Sequence, residues 1–300
     1  MTPEDILKHE PRMLTQAQRE SYFESGYVSS EGLIPKEWLE AVRSASDECL
    51  EDSRKETESG SKFDLAPEHT AEHPHVRRIK SPVDVHPVFK KFAVESPFAD
   101  IAADLVGPNV KFHSCKINYK HPGGGEIVKW HQDICFWPHT NYSPVTLGLY
   151  LDGCEDAQGP LTLIPESHKG DLFPHYDDEG NWTGTVPPRE LASLPTDKAD
   201  GPTGDKGTVL ALNCRTIHGS KRNETNRVRP ILLYVYSSAD AFPWAYHPTQ
   251  TSLSGEIVRG EAAKIPHMDP RPCPVPPDWS KSGYGSIFTS QEKGDGGDMM

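Results

Sequence analysis

The first hundred residues carry apolar positions at the spacing typical of amphipathic helices. Thr15 and Gln18 form a capping-box pattern, which predicts a helix that begins after Thr15 and ends near Gly26. Pro35 is expected in the first turn of a second helix, a position that favours proline. The buried face of that helix is predicted to comprise five residues at helical spacing: Trp38, Leu39, Val42, Ala45 and Cys49. Shorter helices are predicted over residues 88–94 and 98–106. The charged segment 51–74 is expected to be an irregular, mobile surface arm.

From Val110 onward the pattern changes to short apolar runs separated by turn residues. Strands are predicted over residues 110–120, 126–131, 145–152, 161–165, 208–212 and 230–237. Short strands of this kind are typical of an antiparallel sandwich or jelly roll. One long interruption, 166–206, contains few branched aliphatic residues and many Asp, Gly and Pro residues. A loop of that length is uncommon unless it is functional or disordered.

The chain shows no internal repeat and no linker between domains, so we predict a single domain over residues 1–300. The domain is expected to be mainly β with flanking helices. A mostly helical N-terminal part covers 14–109, and a sheet core covers 110–238 and contains the insertion 166–206. A proline-rich C-terminal extension follows at 239–300.

Composition and charge argue against several classes of protein. No run of about 18 apolar residues occurs, so we expect no membrane span, and the N-terminus lacks the pattern of a secretory signal. The net charge of −13 argues against a nucleic-acid partner, which needs a basic surface. None of the six cysteines forms a C-x-x-C pair, so we expect free thiols and a cytoplasmic location. The sequence does not indicate the oligomeric state.

The sequence H-x-D occurs three times, and its context separates one instance from the other two. His267 lies in the proline-rich tail, and His175 lies in an acidic, glycine-bearing stretch that is typical of a loop. His131 instead ends a strand-like run. Residues i and i+2 of a strand point to the same face, so His131 and Asp133 could bind one metal ion.

A more distant histidine and an arginine extend this pattern. His218 follows an apolar strand and could complete the two-His-one-carboxylate set of non-haem Fe(II) oxygenases. Arg229 begins the next apolar strand and could bind a carboxylate-bearing co-substrate, which suggests an Fe(II)- and 2-oxoglutarate-dependent oxygenase. Arg227 is a rival for this role, because strand alternation puts both arginines on one face.

Several motifs in the same order resemble the phytanoyl-CoA dioxygenase family of Fe(II)/2-oxoglutarate oxygenases. The resemblance runs from about Leu14 to about Ser238. It rests on Trp130-His131-Gln132-Asp133, on Gly159-Pro160-Leu161 with Ser167-His168-Lys169-Gly170, and on His218-Gly219-Ser220 followed by Arg229 eleven residues after the histidine. Glu166 departs from the glycine that the family usually has before the Ser-His-Lys segment. The resemblance implies a double-stranded β-helix, a cupin-like jelly roll whose mouth holds the metal.

The resemblance also implies roles for particular residues. His131, Asp133 and His218 would be the catalytic Fe(II) ligands, with 2-oxoglutarate and O2 taking the open positions. Arg229 would bind the distal carboxylate of 2-oxoglutarate, assisted by Ser220. Further contacts to the co-substrate are expected from Asn118, Lys116 and Trp137. Two alternatives stay open: the opposite strand face, with Ile117 and Tyr119, could point inward, and Trp137 could be an ordinary core residue.

The implied reaction is hydroxylation of an aliphatic C–H bond of a small organic metabolite, with release of succinate and CO2. Asp133 stands where related halogenases have Ala or Gly, so we expect a hydroxylase. Desaturation and rearrangement stay open as outcomes. The alternatives are an acyl-CoA hydroxylase, a non-enzymatic cupin-like metal-binding protein, and a zinc-dependent cupin-like hydrolase or isomerase.

Three further features bear on the substrate. The insertion 166–206 and the segment Phe242-Pro243-Trp244 are expected to form a lid that sets specificity. Arg77, Arg78 and Lys80 are expected to be a solvated basic patch, with a grip on an anionic substrate as the alternative. His139, His168 and His175 are expected to be loop residues and not metal ligands.

Overall fold

Two antiparallel sheets form the body of the protein in the computed structural model, which describes residues 1–123 and 127–292. The strands are β1 (Tyr27–Ser30), β2 (Phe63–Leu65), β3 (Val76–Lys80), β4 (Val110–Lys120), β5 (Val128–His131), β6 (Val145–Tyr150), β7 (Thr162–Leu163), β8 (Val209–Asn213), β9 (His218–Ser220), β10 (Arg229–Ser238) and β11 (Ile257–Arg259). The larger sheet has the order β1-β8-β6-β10-β4-β3-β2, with β11 paired to β4, and the smaller sheet has the order β5-β9-β7. The predicted jelly roll is confirmed.

Most helices precede the strands of the jelly roll in the chain. They are α1 (Pro3–Leu7), α2 (Gln16–Ser25), α3 (Lys36–Ser53), α4 (Pro82–Val85), α5 (Pro87–Glu95), α6 (Phe98–Val106), α7 (Pro188–Leu191), α8 (Trp279–Ser282) and α9 (Ile287–Gln291). The capping box of α2 is present, because Thr15 accepts from the Gln18 backbone and Gln18 accepts from Thr15 N. No helix among the described residues is long and apolar enough to cross a bilayer.

Strand alternation gives the larger sheet two different faces. On β10, Leu232, Tyr234 and Tyr236 pack with the N-terminal helices in the main apolar core. Tyr234 donates its hydroxyl hydrogen to Phe89 O on α5 at 2.8 Å, which ties the sheet to that helix. The intervening residues, including Leu233, lie on the opposite face, where the cavities described below are found. The helices therefore cover one face of the sheet and leave the other for a site.

The prediction of an irregular arm over residues 51–74 is wrong for 51–53 and for 63–65. Helix α3 continues to Ser53, and Phe63–Leu65 form β2, which is buried and pairs with β3. Asp64, in the middle of β2, is almost fully buried and accepts a hydrogen bond from Arg77 Nη2 at 2.8 Å. The stabilising partners of this segment come from another part of the chain, so its local polarity is misleading.

The other element boundaries agree closely with the sequence patterns in most places. β4 and α6 have the predicted limits, whereas β6 and β7 are shorter than predicted. Glu126, the predicted start of one strand, lies outside the described residues, and the strand observed there is Val128–His131. The proline-rich extension contains β11, α8 and α9, none of which was predicted.

Candidate active site

The two candidate metal histidines are direct neighbours across the smaller sheet. His131 ends β5, His218 begins β9, and the two residues face each other in the antiparallel register. Asp133 follows two residues later at the start of a 3-10 turn. Its Oδ1 lies 3.8 Å from His131 Nε2 and 3.9 Å from His218 Nε2, and all three side chains are buried. The fold therefore brings His218 to the two ligand atoms of His131 and Asp133, which are close together in the sequence.

Hydrogen bonds orient each of these side chains toward a common centre. His131 Nδ1 lies 2.9 Å from Lys129 O, and His218 Nδ1 lies 2.9 Å from Thr216 O. A backbone carbonyl can only accept, so each Nδ1 carries the proton and each Nε2 keeps its lone pair for a metal. Thr146 Oγ1 donates to Asp133 Oδ2 at 2.8 Å, which leaves Oδ1 free to face the histidines. This arrangement fits a divalent ion with open positions.

Burial and neighbouring charge set the protonation of the same groups. Burial lowers the pKa of both His131 and His218, so both imidazoles are neutral at physiological pH. Burial works to raise the pKa of Asp133, but Lys116 and the two histidines outweigh it and bring that pKa down to about 2. The site thus presents two neutral imidazoles and one carboxylate, which is the form that binds a metal.

His175 belongs to this site, although it is not one of the three clustered ligands. The residue lies in the insertion as expected, but it is fully buried, and its Nε2 accepts from the Gln132 backbone N–H at 3.0 Å. Its Nδ1 lies 2.7 Å from Phe173 O. Gln132 adds side-chain bonds to Asp171 O and Arg215 O. No local pattern signals this role, because it depends on how the insertion folds back.

A small cavity of about 60 Å³ lies beside the two histidines and contains four predicted co-substrate contacts. Those residues are Lys116, Asn118, Ser220 and Arg229. Arg229 is buried, and its Nη2 donates to Gly159 O at 3.0 Å, while its Nε has no hydrogen-bond partner in the described parts of the chain. Arg227 is exposed and pairs with Glu155. The structure therefore favours Arg229 over Arg227 as a ligand of anything in this cavity.

Lys120 also lines this cavity and was missed by the sequence analysis. It is buried, and its Nζ donates to Ser220 Oγ at 2.7 Å and to the backbone carbonyl of Lys221. The alternation that puts Lys116 and Asn118 on one face of β4 extends to Lys120, so a signal for it was present. Tyr150 is a second omission: its ring centre lies 5.8 Å from the Arg229 guanidinium carbon.

A second cavity of about 330 Å³ adjoins the first on the side of Asp133. Its walls include Phe136 and Trp137, so Trp137 lies here and not among the residues that line the cavity of Arg229. The rest of the described lining comes from β3, β4, β10 and α9 and from loops near Gly60, Thr249 and Tyr284. No described residue of 166–206 or 242–244 lines either cavity, and this placement differs from the lid expected from the sequence.

The insertion instead lies behind the site. Trp182 packs edge-on against Phe136 with ring centres 5.2 Å apart, and Phe136 in turn meets the His131 ring at 5.9 Å. His139 and His168, which were expected to be loop residues, do not join the cluster of candidate metal ligands. His139 packs near His113, and His168 Nε2 lies 3.0 Å from Phe23 O.

Comparison with known proteins places these features in one family. The chain matches the phytanoyl-CoA dioxygenase (PhyH) family over residues 22–231. It is 33% identical over 227 residues to a protein from Stutzerimonas stutzeri named as a probable alpha-ketoglutarate-dependent hypophosphite dioxygenase, a match that covers 72% of this chain and 76% of the relative. It is 29% identical over 182 residues to an ectoine dioxygenase from Sphingopyxis alaskensis. That match covers 55% of this chain and 60% of the relative, which is less than two thirds of its length.

Among solved structures, the crystal structure of EctD from S. alaskensis in its apoform is similar, with a TM-score of 0.67 and 22% identity. The match covers 85% of this chain and 90% of that one. At this identity the likeness shows the shared jelly-roll fold. The prediction of a 2-oxoglutarate-dependent dioxygenase is therefore confirmed at the level of enzyme class, and the chain belongs to the phytanoyl-CoA dioxygenase family.

Proposed function

We propose that His131, Asp133 and His218 hold the Fe(II) of this dioxygenase and that Arg229 holds its 2-oxoglutarate. The observation that carries the proposal is the position of the three buried ligand atoms beside a cavity lined by a buried arginine. When bound, Fe(II) activates O2 and couples decarboxylation of 2-oxoglutarate to succinate with oxidation of the substrate.

The lining of the small cavity suits a dicarboxylate such as 2-oxoglutarate. Arg229 offers parallel N–H donors to the distal carboxylate, and the Nε that lacks a partner among the described residues would gain one. Lys120 and Ser220, which are already hydrogen-bonded to each other, add positive charge and a hydroxyl at the same end. Lys116 and Asn118 line the cavity on β4, and the two metal histidines line it as well. These groups position the co-substrate before O2 binds.

The larger cavity is the proposed substrate site. Asp133 contributes to its wall, so a molecule there would be adjacent to the metal position, and Phe136 and Trp137 would exclude water from it. A volume of about 330 Å³ lies within the range for small-molecule ligands. We propose oxidation of a C–H bond of a small free metabolite, in which one oxygen atom of O2 enters the product and the other enters succinate.

An acyl-CoA substrate is the less favoured alternative. Its three phosphate groups would need a broad cationic surface outside the cavity, and the chain carries a net charge of −13. The names of the relatives refer to ectoine and hypophosphite, both of which are small molecules. A non-enzymatic role would be indicated by a missing ligand or a missing arginine, yet all four residues are in place.

The test is the absorption spectrum of the anaerobic protein loaded with Fe(II), before and after addition of 2-oxoglutarate. We expect a visible charge-transfer band that requires both components, and succinate release when O2 is admitted. A protein that binds Zn(II) but gives neither the band nor succinate with Fe(II) would support the hydrolase or isomerase alternative.

A further inference from the structure

The larger cavity is cationic in a chain that is acidic overall. The sequence contains 44 acidic and 31 basic residues, yet three of the residues that line this cavity are basic. These are Arg78, Lys80 and Lys116. Asp133 is the one carboxylate among the described lining residues, and it is already assigned to the metal. The wall therefore carries positive charge that no lining carboxylate outside the metal site balances.

Strand β3 divides the basic cluster of the sequence into two parts. Arg77 points away from the cavity and is neutralised by Asp64 and Glu292, with N–O distances of 2.8 and 2.6 Å. Arg78 and Lys80 alternate with it and line the cavity. The expected solvated patch is therefore wrong for Arg77 and Arg78, because both are buried.

Arg78 is built into the wall that the two cavities share and has an unused donor. It is 3% exposed, its Nε donates to Asn118 Oδ1 at 2.8 Å, and its guanidinium carbon lies 5.1 Å from the centre of the Phe288 ring. Its Nη2 is buried and finds no hydrogen-bond partner within the described ranges. A buried charged donor without a partner is costly, so a ligand that accepts from it would be stabilised.

Lys80 and Lys116 add a second independent sign of an anion site. In the antiparallel register of β3 and β4, these two lysines are direct cross-strand partners. Like charges at such a position repel each other, and burial also lowers the pKa of Lys80. Lys80 Nζ donates to Gly60 O at 3.0 Å, which holds it at the cavity edge. An anion on the cavity face of these two strands would offset both costs.

We infer that the substrate carries an acid group, a carboxylate or a phosphorus oxyanion, and that Arg78 and Lys80 bind this group in the larger cavity. The inference rests on the proposed function and names the substrate class for the same site. The acid group anchors one end of the substrate at β3. The bond to be oxidised then points along the apolar wall of Phe136 and Trp137 toward Asp133 and the metal position.

The experiment measures how small probe molecules perturb the visible band of the anaerobic Fe(II)–2-oxoglutarate protein. The anionic probes are butyrate, propylphosphonate and hypophosphite, and the matched neutral probes are butyramide and dimethyl propylphosphonate. We expect saturable perturbation by one or both anion types and none by the neutral probes. The carboxylate and phosphorus arms show which acid group the site prefers.

Variants then assign the binding to the named residues. Arg78→Gln and Lys80→Met should each weaken binding of the preferred anion about tenfold or more. Lys80 lines the larger cavity alone, so Lys80→Met should leave the 2-oxoglutarate requirement unchanged, whereas Arg78 also lines the smaller cavity. Lys80 is only partly buried, so its variant keeps the test valid if Arg78→Gln fails to fold. Lys62→Met is the matched control, because Lys62 is exposed and lies outside the described cavity lining.

Three results would overturn the inference. Neutral probes could bind as tightly as the acids, no anion could bind, or Lys80→Met could weaken 2-oxoglutarate binding instead of anion binding. In each case the Fe(II)–2-oxoglutarate band of the wild type would still be present. Absence of that band would instead count against the proposed function.

Discussion

The backbone N–H of Gln132 donates to Nε2 of His175 across 3.0 Å and fastens the metal-binding loop to the long insertion. Gln132 lies between two of the proposed ligands, so its position determines where His131 and Asp133 point. The insertion therefore supports the metal site from behind. This role differs from that of a lid over the substrate, which the residue pattern of 166–206 suggested.

Replacement of His175 by alanine should weaken the metal site without removing a ligand. The Gln132 N–H would lose its acceptor in a buried setting, at a cost of about 1–3 kcal/mol. We expect a lower Tm of the metal-free protein and a higher Fe(II) concentration for half-maximal succinate release. The control is His267→Ala, since His267 is exposed and outside the metal cluster. Equal Fe(II) affinity in the two variants would refute this role for His175.

Acid should destabilise the metal-free protein well above the pH at which carboxylates titrate. Burial lowers the pKa of four histidines far below 6.5, to about 4 for His121, His175 and His247 and to about 3 for His139. Between those values and 6.5 the unfolded chain binds more protons than the folded one, so stability falls as pH falls through this window. Urea unfolding at several pH values measures the slope.

A single variant tests the contribution of one of these histidines. His247→Gln should reduce the slope of unfolding free energy against pH between pH 6 and pH 4.5. The reduction corresponds to at most about one bound proton, or ~1.4 kcal/mol per pH unit. His267→Ala should leave the slope unchanged, because that side chain is exposed. A wild-type stability that is flat from pH 6.5 to pH 4 would contradict the burial of neutral histidines.

Removal of either proposed metal histidine should abolish turnover. His131→Ala and His218→Ala each leave one imidazole and one carboxylate, too few to hold Fe(II) with two co-substrates. We expect neither the anaerobic Fe(II)–2-oxoglutarate band nor succinate from these variants. His168→Ala, which changes the histidine of the Ser167-His168-Lys169-Gly170 segment, should retain both the band and succinate release. Succinate release at the wild-type rate from His218→Ala would show that the ligand set is wrong.

The two arginines at the start of β10 should behave differently. Arg229 is buried beside the metal histidines, whereas Arg227 is exposed and paired with Glu155. Loss of a buried charge-assisted pair costs about 2–5 kcal/mol, so Arg229→Ala should raise the KM for 2-oxoglutarate by at least about tenfold. Arg227→Ala should change it less than about twofold, because exposed pairs contribute little. A larger effect at Arg227 would reverse the assignment.

The reaction outcome should be oxygen transfer even when chloride is abundant. As a proposed metal ligand, Asp133 would take the place that a halide needs, and Thr146 holds its second oxygen in place. Mass spectrometry of the product formed in chloride buffer should therefore show an added oxygen atom or a loss of hydrogen. A chlorinated product from the wild-type enzyme would contradict this expectation.

Local patterns were enough to predict several of the elements and the candidate metal ligands. Capping at Thr15 and the helical spacing of Leu39, Val42 and Ala45 predicted α2 and α3, because such signals lie within a few residues of one another. The strand β4 was predicted in full, and His131, Asp133 and His218 were singled out by their strand context. These features depend on side-chain type and spacing along one element.

Tertiary structure decided which residues share a cavity. β2 is stabilised by pairing with β3, and β3 by pairing with β2 and β4. Alternation along β3 separates Arg77 from Arg78, and its register with β4 puts Lys80 opposite Lys116. The C-terminal segment brings Phe288 back to the Arg78 guanidinium. Contacts between residues far apart in the chain have no local signature, because their energy depends on the closed fold. The candidate metal ligands could thus be identified from the sequence, whereas strand pairing decided which residues of the basic cluster line the larger cavity.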